Sequence, residues 1–231
     1  MNADIAARIR DLRQSYGQLD GLDLLAAMAG EFPGSLAVIS SFGAESAVLL
    51  DLVSQLDKAL PVIFLDTGEL FDETLAYQQQ LTQQLALSNV MVIHPDPVDL
   101  RAAEDLWQRD ADACCYLRKV RPLRRATRDF AVLVDGRKRF HAGGRESIQT
   151  IEADDDGKVK ISPLARWSQK RIDNVFRQRQ LPRHPLVAQG YRSIGCWPCS
   201  RPVEEGEPVR AGRWAGAAKT ECGIHRVSKT V

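Results

Sequence analysis

A chain of 231 residues, 44% hydrophobic and 26% charged, has the size and composition of one soluble α/β domain or a domain with an appendage. Its net charge of +1 argues against a polybasic field for nucleic acid or an anionic membrane, so any anion site must be built locally. No uncharged run approaches the ~20 residues that cross a bilayer, and MNADIAARIRDLRQSYG reads as an amphipathic helix rather than a signal peptide, which makes the cytoplasm the expected compartment.

Residues 3–29 pattern as two short helices broken near Gly17–Gly21. The apolar run LAVIS (36–40) predicts a strand, and SAVLLDLVSQL (46–56) a helix entered through SFGAES. VIFLD (62–66) predicts a second strand, and TGELFDETLAYQQQLTQQL (67–85) a loop running into a helix. VMVIHP (90–95) is a third strand and AAEDLWQRD (102–110) a helix; the basic segment RKVRPLRRATR (118–128) precedes a fourth strand, AVLVD (131–135). Strands alternating with helices predict βαβ units and a doubly wound, mainly parallel sheet with flanking helices. In such sheets ligands sit at the carboxyl ends of the strands, where SFGAES, DTGELF and DGRKRF should share one rim.

Beyond residue 140 the pattern changes. IQTIEADDDGKVKISPL (148–164) reads as a hairpin turning at Asp156-Gly157, and RWSQKRIDNVFRQRQ (166–180) as a helix. Residues 181–205 are loop-like and close a domain expected over 1–205. The tail from 206 to 231 is rich in Gly, Arg and Ala with little apolar periodicity, and is expected to be mobile.

In a cytoplasmic protein, five cysteines point to metal binding or catalysis rather than to disulfides. Cys114-Cys115 together with Cys196-x-x-Cys199 form a set of four suited to zinc or an iron–sulfur cluster. Adjacent cysteines chelate one ion awkwardly, whereas a [4Fe–4S] cube offers each thiolate its own iron, so geometry favours the cluster. Cys222, beside Lys219 and three residues before His225, is left over: a nucleophilic thiolate, or an incidental exposed thiol. SFGAES is either an anion-holding strand-to-helix turn or an ordinary capped one; it lacks the Lys and spacing of a Walker A loop. Asp66 and Thr67 end the second strand within reach of the same rim, or simply begin the next helix. Arg118, Lys119 and Arg121, then Arg137, Lys138 and Arg139, and in the tail Arg210 and Arg213, are either solvated clusters or the walls of a pocket for a multiply charged anion.

Taken together and in order, SSFGAESAVLLDL, LDTGELFDET, CC-x₃-KVRPL, GYRSIGCWPCSRPV, RAGRW and KTECGIH resemble the assimilatory adenylyl-sulfate reductases, relatives of the 3′-phosphoadenylyl-sulfate reductases. The resemblance covers about residues 36–225 and is weaker over 129–160. It implies an adenine nucleotide alpha hydrolase-like fold. It also implies reduction of adenylyl sulfate to sulfite and AMP, in sulfate assimilation for cysteine biosynthesis, with Cys222 attacking sulfur to form an S-sulfocysteine that thioredoxin or glutaredoxin then resolves. Cys114, Cys115, Cys196 and Cys199 would ligate one [4Fe–4S] cluster per chain. Ser41, Phe42, Gly43, Glu45, Ser46, Asp66, Thr67, Lys119, Arg210 and Arg213 would bind substrate. The family's Gly-x-Arg-Arg-Asp/Glu-Gln-Ser segment has two partial matches here, Gly136-Arg137-Lys138-Arg139 and Gly144-Arg145-Glu146. The first directly follows the fourth strand and is preferred, which adds Arg139. No nucleic-acid or membrane partner is expected, and a homo-oligomer is left open.

Other readings are a 3′-phosphoadenylyl-sulfate or dual-specificity reductase, an ATP pyrophosphatase of the same fold, and a non-catalytic cluster-binding redox sensor. The pyrophosphatase loop Ser-Gly-Gly-x-Asp-Ser differs from Ser41–Ser46 at its second and fifth positions.

Overall fold

The computed structural model describes residues 3–141, 144–215 and 219–225. Six strands form one sheet in the order β3-β2-β1-β4-β6-β5: β1 Leu36–Ile39, β2 Val62–Leu65, β3 Val90–Ile93, β4 Val132–Val134, β5 Ile151–Ala153 and β6 Val159–Ile161. β3, β2, β1, β4 and β6 run parallel, with Val38 of β1 opposite Val62 on one side and Val134 on the other. β5 pairs antiparallel with β6, as the expected hairpin.

β1, β2 and β4 are apolar and buried at every position because helices cover both faces of the sheet. Their period of two divides them between two cores. Leu36, Val38, Val62, Phe64, Val132 and Val134 enter the larger one, with α1 (Ala3–Tyr16), α2 (Gly21–Glu31), α3 (Ser46–Leu56), α4 (Asp72–Gln84) and α9 (Gln169–Gln178). Ala37, Ile39, Ile63, Leu65 and Leu133 enter a smaller one with Leu123. Each aliphatic side chain so buried contributes about 1.5–3 kcal/mol. The edges are handled separately: β3 is only half covered, and Arg13 of α1 donates to the Ile151 carbonyl of β5 at 2.8 Å.

Two stretches depart from the sequence reading. The single helix expected over 102–110 is two, α5 (Pro97–Ala102) and α6 (Leu106–Arg109). α5 starts earlier because Asp96 caps Val98 N at 2.8 Å with Pro97 in the first turn, and Asp105, left-handed at φ 50°, separates it from α6. The basic segment after the cysteine doublet is helical. α7 (Ala111–Cys115) passes into a π-helical turn, Tyr116–Val120, and then α8 (Arg121–Ala126). The wider π turn accompanies the burial of both Arg118 and Lys119, cations that a surface helix would leave in water.

The described residues of the tail are in the docked position. Arg213 bridges to Ser200, Trp214 is buried, and residues 219–225 lie against the body of the protein.

Candidate active site

Leaving β1, the chain moves through β2 to β3, then returns to β4 on the other side of β1. Between β1 and β4 lies the topological switch point, where α/β sheets bind ligands. A cleft opens there. Its floor is Ser41, Gly43, Ala44, Glu45 and Ser46 after β1, with Thr67 after β2; its far wall is Gly136, Arg137, Lys138, His141 and Arg145. The tail supplies Arg210, Arg213, Trp214, Glu221, Cys222 and His225.

Of the residues named from sequence, Ser41, Gly43, Glu45, Ser46, Thr67, Lys119, Arg210, Arg213 and Cys222 converge on this cleft. Phe42 does not line it. Its backbone is left-handed (φ 47°), and its ring packs edge-on to Phe64 in the larger core, 5.1 Å between centroids, so it anchors the turn from beneath. Asp66 is also outside, accepting from Gly68 N at 3.0 Å and lying 3.6 Å from His94. Arg139 turns away to the Ile148 carbonyl at 2.7 Å, and Arg145 takes the place in the cleft. Both partial matches reach the cleft, the first through Gly136, Arg137 and Lys138 and the second through Arg145.

Glu45 is nearly enclosed. Lys138 Nζ at 2.9 Å and His141 Nε2 at 3.0 Å hold its carboxyl well below the usual range against the cost of burial, and Gln169 donates to its other oxygen at 2.9 Å. The carboxylate therefore fixes the 138–141 segment beside the cleft. Arg137 is likewise internally paired, to Asp135 at 2.7 Å and Glu152 at 3.1 Å. Sequence analysis gave His141, Trp214, Glu221 and His225 no role of their own, although RAGRW contains Trp214 and KTECGIH contains Glu221 and His225, and those motifs were the signal that could have found them.

Cys114, Cys115, Cys196 and Cys199 line one small adjoining cavity with Trp107, Arg118 and Lys119. Burial pushes the Cys115 thiol up to about 11 and also raises Cys114 and Cys199. Cys196 goes the other way: burial opposes its charge, but Lys119 and the Thr67 hydroxyl, 3.3 Å from its sulfur, outweigh it. The four thiols thus share one space, although among the described residues no group of three or more His, Cys, Asp or Glu side chains is placed to hold a metal ion. Arg118 Nε, buried with no partner, leaves a donor beside that space for an anionic group.

Lys119 belongs to both cavities. Burial disfavours its charge, yet the thiols of Cys196, Cys222 and Cys115 raise its pKa overall. Gly195, which precedes the Cys196-x-x-Cys199 loop, lets the Arg213 guanidinium lie against its Cα, where a Cβ would displace that guanidinium.

The tail is held by ion pairs. Glu221 binds Arg145 through both oxygens, one contact at 3.0 Å, and Arg210 at 3.3 Å; despite burial these cations lower its pKa to about 2. Lys219 pairs with Asp112, two residues before the doublet. His225 is enclosed between Asp135 (3.5 Å) and Lys160 (3.4 Å), and burial together with Lys160 lowers its pKa to about 4.

The profile of the phosphoadenosine phosphosulfate reductase domain matches residues 35–202. A protein of Mesorhizobium japonicum named adenosine 5′-phosphosulfate reductase is 45% identical over 225 residues, 96% of this chain and 88% of that protein. One of Bacillus subtilis, adenosine 5′-phosphosulfate reductase 1, is 38% identical over 201 residues, 85% of this chain and 86% of its own length. Among solved structures, phosphoadenylyl-sulfate reductase from Candida auris superposes with a TM-score of 0.72 at 23% identity, covering 85% of this chain and 96% of that one. Yeast FAD synthetase shares the fold more distantly, with a TM-score of 0.56 at 16% identity over 86% of this chain and 75% of the other.

Proposed function

The chain belongs to the phosphoadenosine phosphosulfate reductase domain family, and from that premise we propose that it reduces adenylyl sulfate to sulfite and AMP. The observation that carries this reading is the meeting of Cys222 with Lys119, Arg210 and Arg213 in one cleft at the sheet's switch point.

The nucleotide would lie over the Ser41–Ser46 turn, with its anionic end toward the cations of the far wall and tail. The Cys222 thiolate attacks the sulfate sulfur: an S–S bond forms, the S–O bond to phosphate breaks, and AMP leaves with that electron pair. Sulfate oxygens repel an incoming thiolate, and Lys119, Arg210 and Arg213 offset the charge that builds in the transition state. A thiolate of thioredoxin or glutaredoxin then attacks Cys222 Sγ, and sulfite departs with the S–S electron pair. The reductant's second thiol resolves the mixed disulfide, so its two thiols supply both electrons. The segment that carries Cys222, tethered at Trp214, acts as the moving part, closed for the first step and open to the reducing protein for the second.

Cys114, Cys115, Cys196 and Cys199 are the residues that would hold a [4Fe–4S] cluster. When bound, such a cluster supplies a structural tie and a local field rather than the electrons of the reaction. Lys119 would couple that field to the substrate's sulfate.

Relatives named for the unphosphorylated nucleotide, at 38% and 45% identity, favour adenylyl sulfate over its 3′-phosphorylated form. The ATP pyrophosphatase reading is weakened by Glu45, whose carboxylate is already bound by Lys138, His141 and Gln169 and is not free for magnesium.

The test is mass spectrometry of the protein given adenylyl sulfate without reductant. Wild type should gain one sulfonate on Cys222, and Cys222→Ser should gain none and release no sulfite. Sulfite production by that variant would refute the nucleophile. The ratio of kcat/KM for the two nucleotides settles the substrate.

A further inference from the structure

We propose that Trp214 touches the substrate, its indole N–H donating a hydrogen bond to an oxygen of the sulfate group. Three observations converge on this residue. Its Nε1 is a buried donor with no acceptor among the described residues in the tail-docked state, although the residue is 5% exposed and lines the cleft. Native proteins rarely leave such a donor unpaired, and where they do an absent ligand is one of the standard reasons. The nearby carboxylate that lines the same cleft, Glu221, already serves Arg145 and Arg210.

The backbone adds a second sign. Trp214 sits at φ 49°, a left-handed conformation unfavourable for a bulky side chain, and strain of this kind collects at functional positions. It is maintained by pairing to the cysteine loop: Trp214 N donates to the Cys199 carbonyl at 3.2 Å, and Arg213 Nε donates to the same oxygen at 3.2 Å.

Third, the ring is surrounded by cations. Arg213, Lys219 and Arg210 lie 4.5, 5.5 and 5.9 Å from its centroid, within range of cation–π attraction. An anion drawn in by these groups brings acceptor oxygens to the buried indole N–H, which has no partner among the described residues. The link to Cys199 puts Trp214 at the cysteine-cavity end of the cleft, which favours the sulfate over the nucleotide's own phosphate.

The inference rests on the reading of adenylyl sulfate as substrate, and its test separates the two. Trp214→Phe keeps a ring for the cations and removes the donor, whereas Trp214→His keeps a ring donor. Binding titrations with adenylyl sulfate and with AMP, which lacks the sulfate, should show W214F losing about tenfold or more for the former, the scale of a hydrogen bond to a charged group. AMP affinity should be unchanged, and W214H should recover part of the loss. Equal weakening for both ligands, or none for either, overturns the proposal. In wild-type protein labelled at the indole nitrogens, one of the four tryptophan N–H signals should move downfield with adenylyl sulfate and stay with AMP; no such shift overturns it even if the variants misfold. If wild type binds adenylyl sulfate but releases no sulfite, the activity reading fails while the titrations still judge Trp214.

Discussion

Lys119 forms part of the wall of both cavities, so removing it has a signature that loss of a single thiol does not. Lys119→Met keeps most of the volume and deletes the charge. It should lower kcat/KM for adenylyl sulfate by about 10²–10³, the usual cost of losing one transition-state donor, while iron content and AMP affinity stay near wild type. An equal fall in iron content would make Lys119 a structural post instead. At this scale legibility was uneven. The cysteines could be read because thiols are few and their spacing is informative. Arg139 and Arg145 could not be told apart because four basic residues near one strand end carry no pattern that says which of them turns inward. Trp214 stood in the RAGRW motif, but its own part was not legible, since it lies in an unpaired N–H that only packing creates.

Among the elements, the docked tail makes a pH prediction. His225 changes from an ordinary value near 6.5 when free to about 4 when docked, so the undocked tail binds the proton more readily. Docking should be fully favourable above pH 6.5 and weaken as pH falls toward 4. Glu221, lowered from 4.5 to about 2, acts in the same direction over a more acid window. Cleavage of the tail by an acid-tolerant protease should therefore rise below pH 6.5, and flat susceptibility from pH 7 to 4 would contradict this latch. Glu221→Gln should loosen docking at neutral pH by about 1–3 kcal/mol, the cost of leaving charged partners unmatched, seen as faster alkylation of Cys222. The π turn at Tyr116–Val120 was not legible, because its residues also suit an α-helix; the burial of Arg118 and Lys119 distinguishes it.

For the whole molecule, the sheet could be read from sequence because β1, β2 and β4 are continuous apolar runs and α3 and α4 follow with helical spacing. The strand order could not, since apolar runs of similar length do not encode which neighbours they choose. That order decides the function, because it makes the β1–β4 crevice the place where SFGAES and the far wall meet. None of the residues lining the cysteine cavity belongs to either apolar core. Stripping iron from protein that holds a cluster should thus leave far-ultraviolet dichroism largely intact while exposing the segments around 107–120 and 195–214 to protease. Global unfolding on iron loss would show that the sheet depends on the metal.

The pairing of Arg213 with Ser200, and the burial of Trp214 beside it, fix one end of a tether. Cys222 is eight positions beyond Trp214, a contour of roughly 28 Å at full extension. A thiol on so short a leash meets the cleft at an effective concentration on the order of millimolar, so recapture after each turnover requires no search. The same leash sets a radius: a reducing protein has to bring its own thiol within that distance of Trp214, which rules out partners that dock on the far side of the sheet.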